Sequence, residues 1–214
     1  MMKRVAKGLV LIISLVIIVV VGAIFIFNQS LKPDEDKEEK VKVEAKKYLK
    51  THFTDSTVIY DTLYDNMGNF PFEYAAKVTN EKDQTNFLVY YNDEVNEMED
   101  SYISSKWESQ LNKKVRPYII QKFEPLDELI VFYDAQVGKT YNINPNIATS
   151  YKDYNASPSI TISIARKPKK EDAETFSEMV SFLKKEAELK HGTVTLNYVK
   201  KGVPQSGKEI RKEF

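Results

Sequence analysis

STVIYDTLYDNMGNFPFEYAAKVTNEKDQTNFLVYY, residues 56–91, is a run of period-two alternation broken by two polar turns. A strand places successive side chains on opposite faces, so each alternating block predicts one strand. The first block puts Val58, Tyr60 and Tyr64 on one face and Ile59, Asp61, Leu63 and Asp65 on the other. In the second, Phe70, Phe72, Tyr74, Ala76 and Val78 share a side, and NFLVYY supplies a third strand. Asn66-Met67-Gly68-Asn69 and the NEKDQT stretch are the turns. Short connections make the three strands antiparallel neighbours, a meander with one apolar side that has to be covered.

The flanking segments provide that cover. Before the strands, Val41, Ala45, Tyr48, Leu49 and Phe53 recur at helical spacing, with Pro33 and the acids Asp34, Glu35 and Asp36 suited to the helix start. After them, Met98, Tyr102, Ile103, Trp107 and Leu111 form a stripe, extended by Val115, Tyr118 and Ile119, that predicts a helix from about Glu97 to Phe123. Pro117 is expected to kink or divide it, because proline removes a hydrogen bond and crowds the preceding turn.

From Pro125 a second unit begins. ELIVFYDA and SITISIAR are strand candidates around a polar, turn-rich stretch that suits a short helix near Pro145. KKEDAETFSEMVSFLKKEAELK carries a helical core face of Phe176, Met179, Val180, Leu183, Ala187 and Leu189, with Gly192 as its expected cap. TVTLNYVKK then returns as a strand, and the charged QSGKEIRKEF is expected to fray. The fold class expected is α+β: helix, three-stranded antiparallel meander, helix, then a small α/β unit with a strand-helix-strand element.

The N-terminal region has another character. Leu9 to Phe27 reads LVLIISLVIIVVVGAIFIF, 19 residues without a charge. As a helix it extends about 28 Å, the thickness of a bilayer's hydrocarbon core. A cleaved secretory signal would have a shorter apolar region ending at a small-residue site. Here Ile24-Phe25-Ile26-Phe27 continues beyond the only such site, at Val21-Gly22-Ala23, so an uncleaved signal-anchor is expected. Lys3, Arg4 and Lys7 precede the run, and the long region after it crosses largely regardless of charge. The expected organisation is a cytoplasmic tail (1–8), a transmembrane helix (9–27) contacting the lipid bilayer, and two extracytoplasmic α+β domains (28–123 and 124–214).

Composition excludes several functions. The chain has no Cys, which rules out disulfide scaffolds, thiolate metal sites and cysteine nucleophiles. Three of the 31 basic residues precede the apolar run, which leaves 28 against 31 acids, a net of −3. Such a surface lacks the concentrated basic face that nucleic acid requires.

Motifs for chemistry are sparse. His52 and His191 stand in no zinc spacing and each suits a helix end. Asp93, Glu94, Glu97, Glu99 and Asp100 form an acidic run without the Gly turn of a calcium loop, and acids at a helix N-terminus explain it. Ser104 and Ser105 stand too close to Lys106 for a Ser-x-x-Lys pattern. Gly138-Lys139-Thr140 resembles the tail of a phosphate loop, but Tyr133 occupies the position of its first Gly. Asp61, Asp65 and Glu73 are the carboxylates that a glycan-cleaving pair would draw on. The 13 Tyr, 11 Phe and Trp107 suit a core, or a groove lined by Tyr60, Tyr64, Tyr90 and Tyr91. No catalytic, cofactor-binding or metal-binding residue is assigned, and no cofactor is expected.

The lone signal-anchor followed by YDTLYDNMGNFPFEYAAKV and then DSYISSKWES resembles the YfjL-like family of small membrane-anchored proteins of Gram-positive bacteria. The resemblance covers nearly the whole chain and implies N-terminal and C-terminal domains; it implies no activity and transfers no functional residue. The function expected is non-catalytic binding of a protein or envelope ligand at the cell surface. A carboxylate-dependent envelope hydrolase and an anchored assembly factor of a membrane complex are the alternatives.

Overall fold

A computed structural model describes residues 31–205 and 207–214. The apolar run lies outside the described residues, as do the tail and spanning helix expected there. Among the described residues no helix is long and apolar enough to cross a membrane.

The chain is α+β, with four α-helices and nine strands among the described residues. Helix α1 (Glu35–His52) begins at Asp34, whose carboxylate accepts from the N–H groups of Asp36 and Lys37, and buries Val41, Ala45 and Leu49. Strands β1 (Thr57–Tyr64), β2 (Tyr74–Asn80), β3 (Thr85–Asn92) and β4 (Glu97–Asp100) form an antiparallel meander in sequence order. The meander thus has four strands rather than three.

Two local departures follow from the backbone. Tyr60 is an extra residue in β1: Ile59 pairs with Val78, but Asp61 pairs with Lys77. This bulge reverses the alternation expected from Val58 onward. Ile59, Thr62 and Tyr64 face the side of Val78, Ala76 and Tyr74, while Leu63 turns to the opposite side with Ala75. Glu97–Asp100, expected to open a helix, is strand because Asn92–Glu97 turns tightly. Asn96 takes a left-handed φ of 56° and its N–H reaches the Asn92 carbonyl at 2.8 Å.

Helix α2 (Tyr102–Lys122) therefore starts later than expected, and it runs through Pro117 without dividing. Its buried face, Trp107, Leu111, Val115 and Ile119, packs on β3 and on β5 (Leu126–Phe132). A four-residue helix α3 (Val137–Thr140) and a 3₁₀ turn (Tyr151–Asp153) occupy the polar stretch, in place of a helix from Pro145. Strand β6 (Ser159–Ile164) pairs antiparallel with β5 and, across α4 (Asp172–Lys185), parallel with β7 (Thr193–Lys200). That is the expected strand-helix-strand element. The short β8 (Val203–Pro204) and β9 (Ile210–Glu213) both pair with β7. The tail expected to fray is thus a strand where it pairs.

Gly192 does not cap α4. That helix ends at Lys185, with Glu188 in the left-handed region at φ 57° and the Leu189 N–H reaching the Leu183 carbonyl. Gly192 serves close approach instead: a Cβ there would meet the Pro158 carbonyl at 3.3 Å and the Phe214 ring at 3.4 Å. His191 accordingly lies beyond the helix end it was expected to occupy. One apolar core runs from Ala45 and Val78 through Trp107 and Val131 to Leu196, with residues from both sheets. A smaller cluster of Phe72, Ala75 and Tyr90 covers the other face of the first sheet.

Candidate binding cleft

Strand β4 is the edge of the first sheet, and a cleft of about 240 Å³ follows it. Its walls are the last turn of α1 (Tyr48, His52), β4 itself, Ile103 of α2, and the segment from Gln136 to Pro145. Gly138 brings that segment close. A Cβ there would meet the Ile103 side chain at 3.0 Å, so a larger residue would force α3 off the first turn of α2.

Glu99 and Asp100 are adjacent on β4 and therefore project to opposite faces. Glu99 is only 6% exposed and accepts from Asn92 Nδ2 at 2.7 Å, from Lys139 Nζ at 2.8 Å and from Gln136 Nε2. Burial pushes its pKa up, but these donors outweigh burial and hold the carboxyl below its ordinary range. Lys139 also pairs with Glu97, and the two glutamates raise its own pKa, Glu97 foremost.

Asp100 is the contrary case. It accepts from the Tyr48 hydroxyl at 2.7 Å and from the Tyr102 N–H at 2.9 Å, and forms no ion pair among the described residues. Burial outweighs these two bonds and pushes the carboxyl up. Burial, then the charge of Asp100, in turn raises the Tyr48 phenol. The His52 ring stacks on Tyr48 with centroids 4.0 Å apart. Its Nδ1 lies 2.9 Å from the Tyr48 carbonyl and 2.8 Å from the Thr51 hydroxyl.

The acidic run is thus divided: Asp93 and Glu94 in the turn, Glu97, Glu99 and Asp100 in the cleft. Among the described residues no group of three or more His, Asp or Glu is placed to hold a metal ion. Gly138 packs against Ile103, and Lys139 pairs with Glu97 and Glu99. Asp61, Asp65 and Glu73 have separate structural roles: Asp61 pairs with Lys77 at 2.8 Å, Glu73 with Lys37 at 2.8 Å, and Asp65 organises its own loop. Ser104 is buried with its hydroxyl on the Ser101 carbonyl. The tyrosines line no common groove: Tyr90 is buried against Phe72, Tyr64 stacks on Tyr74, and Tyr60 and Tyr91 are exposed. Trp107 is fully buried.

Sequence reasoning missed Tyr48, Gln136, Lys139 and Asn142 as neighbours of the acidic run, since only the packing of α1 on the first sheet and the fold of the segment after β5 bring them together. Compared with known protein families, curated proteins and solved structures, the chain matches none.

Proposed function

We propose that this is a single-pass membrane protein of the YfjL-like kind, anchored through residues 9–27 with its N-terminus cytoplasmic. Its exported body binds a ligand or protein segment in the β4 cleft without catalysis. The observation that carries this is Asp100: a carboxylate kept half-buried in a cleft, against its own desolvation cost, with only neutral donors. Such a group is costly to the fold and is suited to a partner that supplies charge. Glu97, Glu99 and Asp100 against Lys139 favour a cationic or donor-rich group, which would gain charge-assisted hydrogen bonds. Catalysis by a carboxylate pair is disfavoured because Glu99 and Asp100 project to opposite faces and Glu99 is saturated with donors.

A photo-crosslinking residue at Asn142, in the cleft wall, is expected to capture a partner on intact cells, whereas one at Thr161 on the second sheet is not. Equal capture at both, or none at either, contradicts the proposal. The hydrolase alternative rests on the raised carboxyl of Asp100, which suits a general acid. Recovery of the captured ligand intact supports binding; cleavage by the wild type and not by Asp100→Asn supports hydrolysis.

A further inference from the structure

We propose that the β1–β2 loop, with Met67 and Phe70 at its tip, is a second membrane contact that seats the exported body on the bilayer. Met67 is 81% exposed and Phe70 49%. The loop presents them rigidly. The Asp65 carboxylate accepts from the N–H groups of Met67 at 3.1 Å and Phe70 at 2.9 Å, and the Asp65 N–H closes the loop on the Glu73 carbonyl at 2.9 Å. Beneath it, Phe70 stacks on the buried Phe72, which packs on Tyr90. An apolar tip on a braced loop binds without first losing conformational freedom.

Its place in the molecule identifies what it meets. Helix α1 starts beside this loop: the Asp34 N–H donates to the Tyr74 hydroxyl at 2.9 Å, and Lys37 pairs with Glu73. Only residues 28–32 separate the apolar run from Pro33. At no more than about 3.6 Å per residue, that connection reaches about 18 Å. The loop is therefore held near the bilayer surface, where a weak apolar contact becomes effectively intramolecular. The β3–β4 turn joins it, since the Asp93 N–H donates to the Pro71 carbonyl at 3.2 Å and Val95 is 50% exposed. The opposite end of α1, about 27 Å away at 1.5 Å per residue, carries His52 and the cleft. Asp93 and Glu94 border the apolar tip, so the contact is apolar rather than electrostatic and requires no anionic lipid.

The inference rests on the membrane-anchor proposal, and one experiment separates the two. The chain has no Cys, so Met67→Cys and Ile147→Cys each place one fluorescent label on the full-length protein. Ile147 is exposed beside Asn146, which bonds the His52 carbonyl at the far end of α1. Both proteins are reconstituted into phosphatidylcholine liposomes containing a lipid with a quencher near the headgroup. Quenching at position 67 is expected to exceed that at position 147 by at least twofold, and Phe70→Asp is expected to abolish the excess. Equal quenching in protein that floats with the liposomes overturns the loop contact and leaves the anchor standing. Failure to float overturns the anchor, and the loop contact with it.

Discussion

Asp172 is buried and Asp100 half-buried, and their surroundings drive them in opposite directions. Asp172 accepts two bonds from the Arg166 guanidinium, one from the Tyr198 hydroxyl at 2.8 Å and one from the Lys169 N–H at 2.7 Å. Arg166 above all pulls its pKa down to about 2. The folded value lies below the unfolded one, so this stabilisation is complete above about pH 4 and is lost as pH falls towards 2. Asp172→Asn strands the guanidinium and should cost about 3 kcal/mol at pH 7. Denaturant titrations at pH 7 and at pH 2 check this, with the difference disappearing at the lower pH. For Asp100 the sign is reversed. Its folded carboxyl is raised, so the cost of ionising it is present at neutral pH and absent below about pH 4. Asp100→Asn should therefore raise the thermal midpoint at pH 7, with a gain that shrinks on acidification, while weakening capture in the cleft. A lower midpoint at pH 7 would mean that Asp100 is a stabilising residue rather than a functional one.

At the scale of elements, periodicity located most of the secondary structure, and it failed where a single backbone conformation intervened. The stripe from Tyr102 to Ile119 is one helix face, as its spacing predicts, but the helix does not extend back to Glu97 because Glu97–Asp100 pairs with β3 as a strand, after a turn in which Asn96 adopts φ 56°. The Asp-Glu-Val-Asn turn at 93–96 was the available signal, since Asn tolerates the left-handed region. The bulge at Tyr60 left no comparable mark, and it exchanged the faces of Leu63 and Tyr64. Strand β9 escaped notice because Ile210 is the only apolar residue in IRKE, a composition typical of edge strands. Pro117 is unfavourable inside a helix and is expected to kink or divide it; the helix is not divided, because packing of Val115 and Ile119 on either side holds it through the proline. Because Pro117 is exposed, Pro117→Ala restores a missing N–H without disturbing the core. It should stabilise the protein by about 2 kcal/mol, measurable as a shift in denaturant midpoint at unchanged slope.

For the whole molecule, the α+β class was legible because alternating and helical periods succeed one another cleanly along the chain. The cleft was not, because it joins residues 48–52, 97–103 and 136–145, and no local pattern encodes that meeting. What was legible of it was the excess of acid after the third strand, without the partners that divide its roles. The core residues from both sheets form one cluster, with α2 between β3 and β5, so unfolding should be a single transition. Tryptophan fluorescence from Trp107 and far-ultraviolet circular dichroism are expected to give coincident curves; two separated transitions would mean that the halves fold independently.

In the proposed topology, a membrane anchor holds this body outside the cell with its cleft turned away from the bilayer. The cysteine-free sequence allows it to be tested directly with single cysteines and a membrane-impermeant maleimide on intact cells. Ile147→Cys is expected to react on intact cells and to remain in the membrane fraction, whereas Lys7→Cys is expected to react only after lysis. Labelling of position 7 rather than 147 on intact cells, or recovery of the labelled chain in the medium, would contradict this topology.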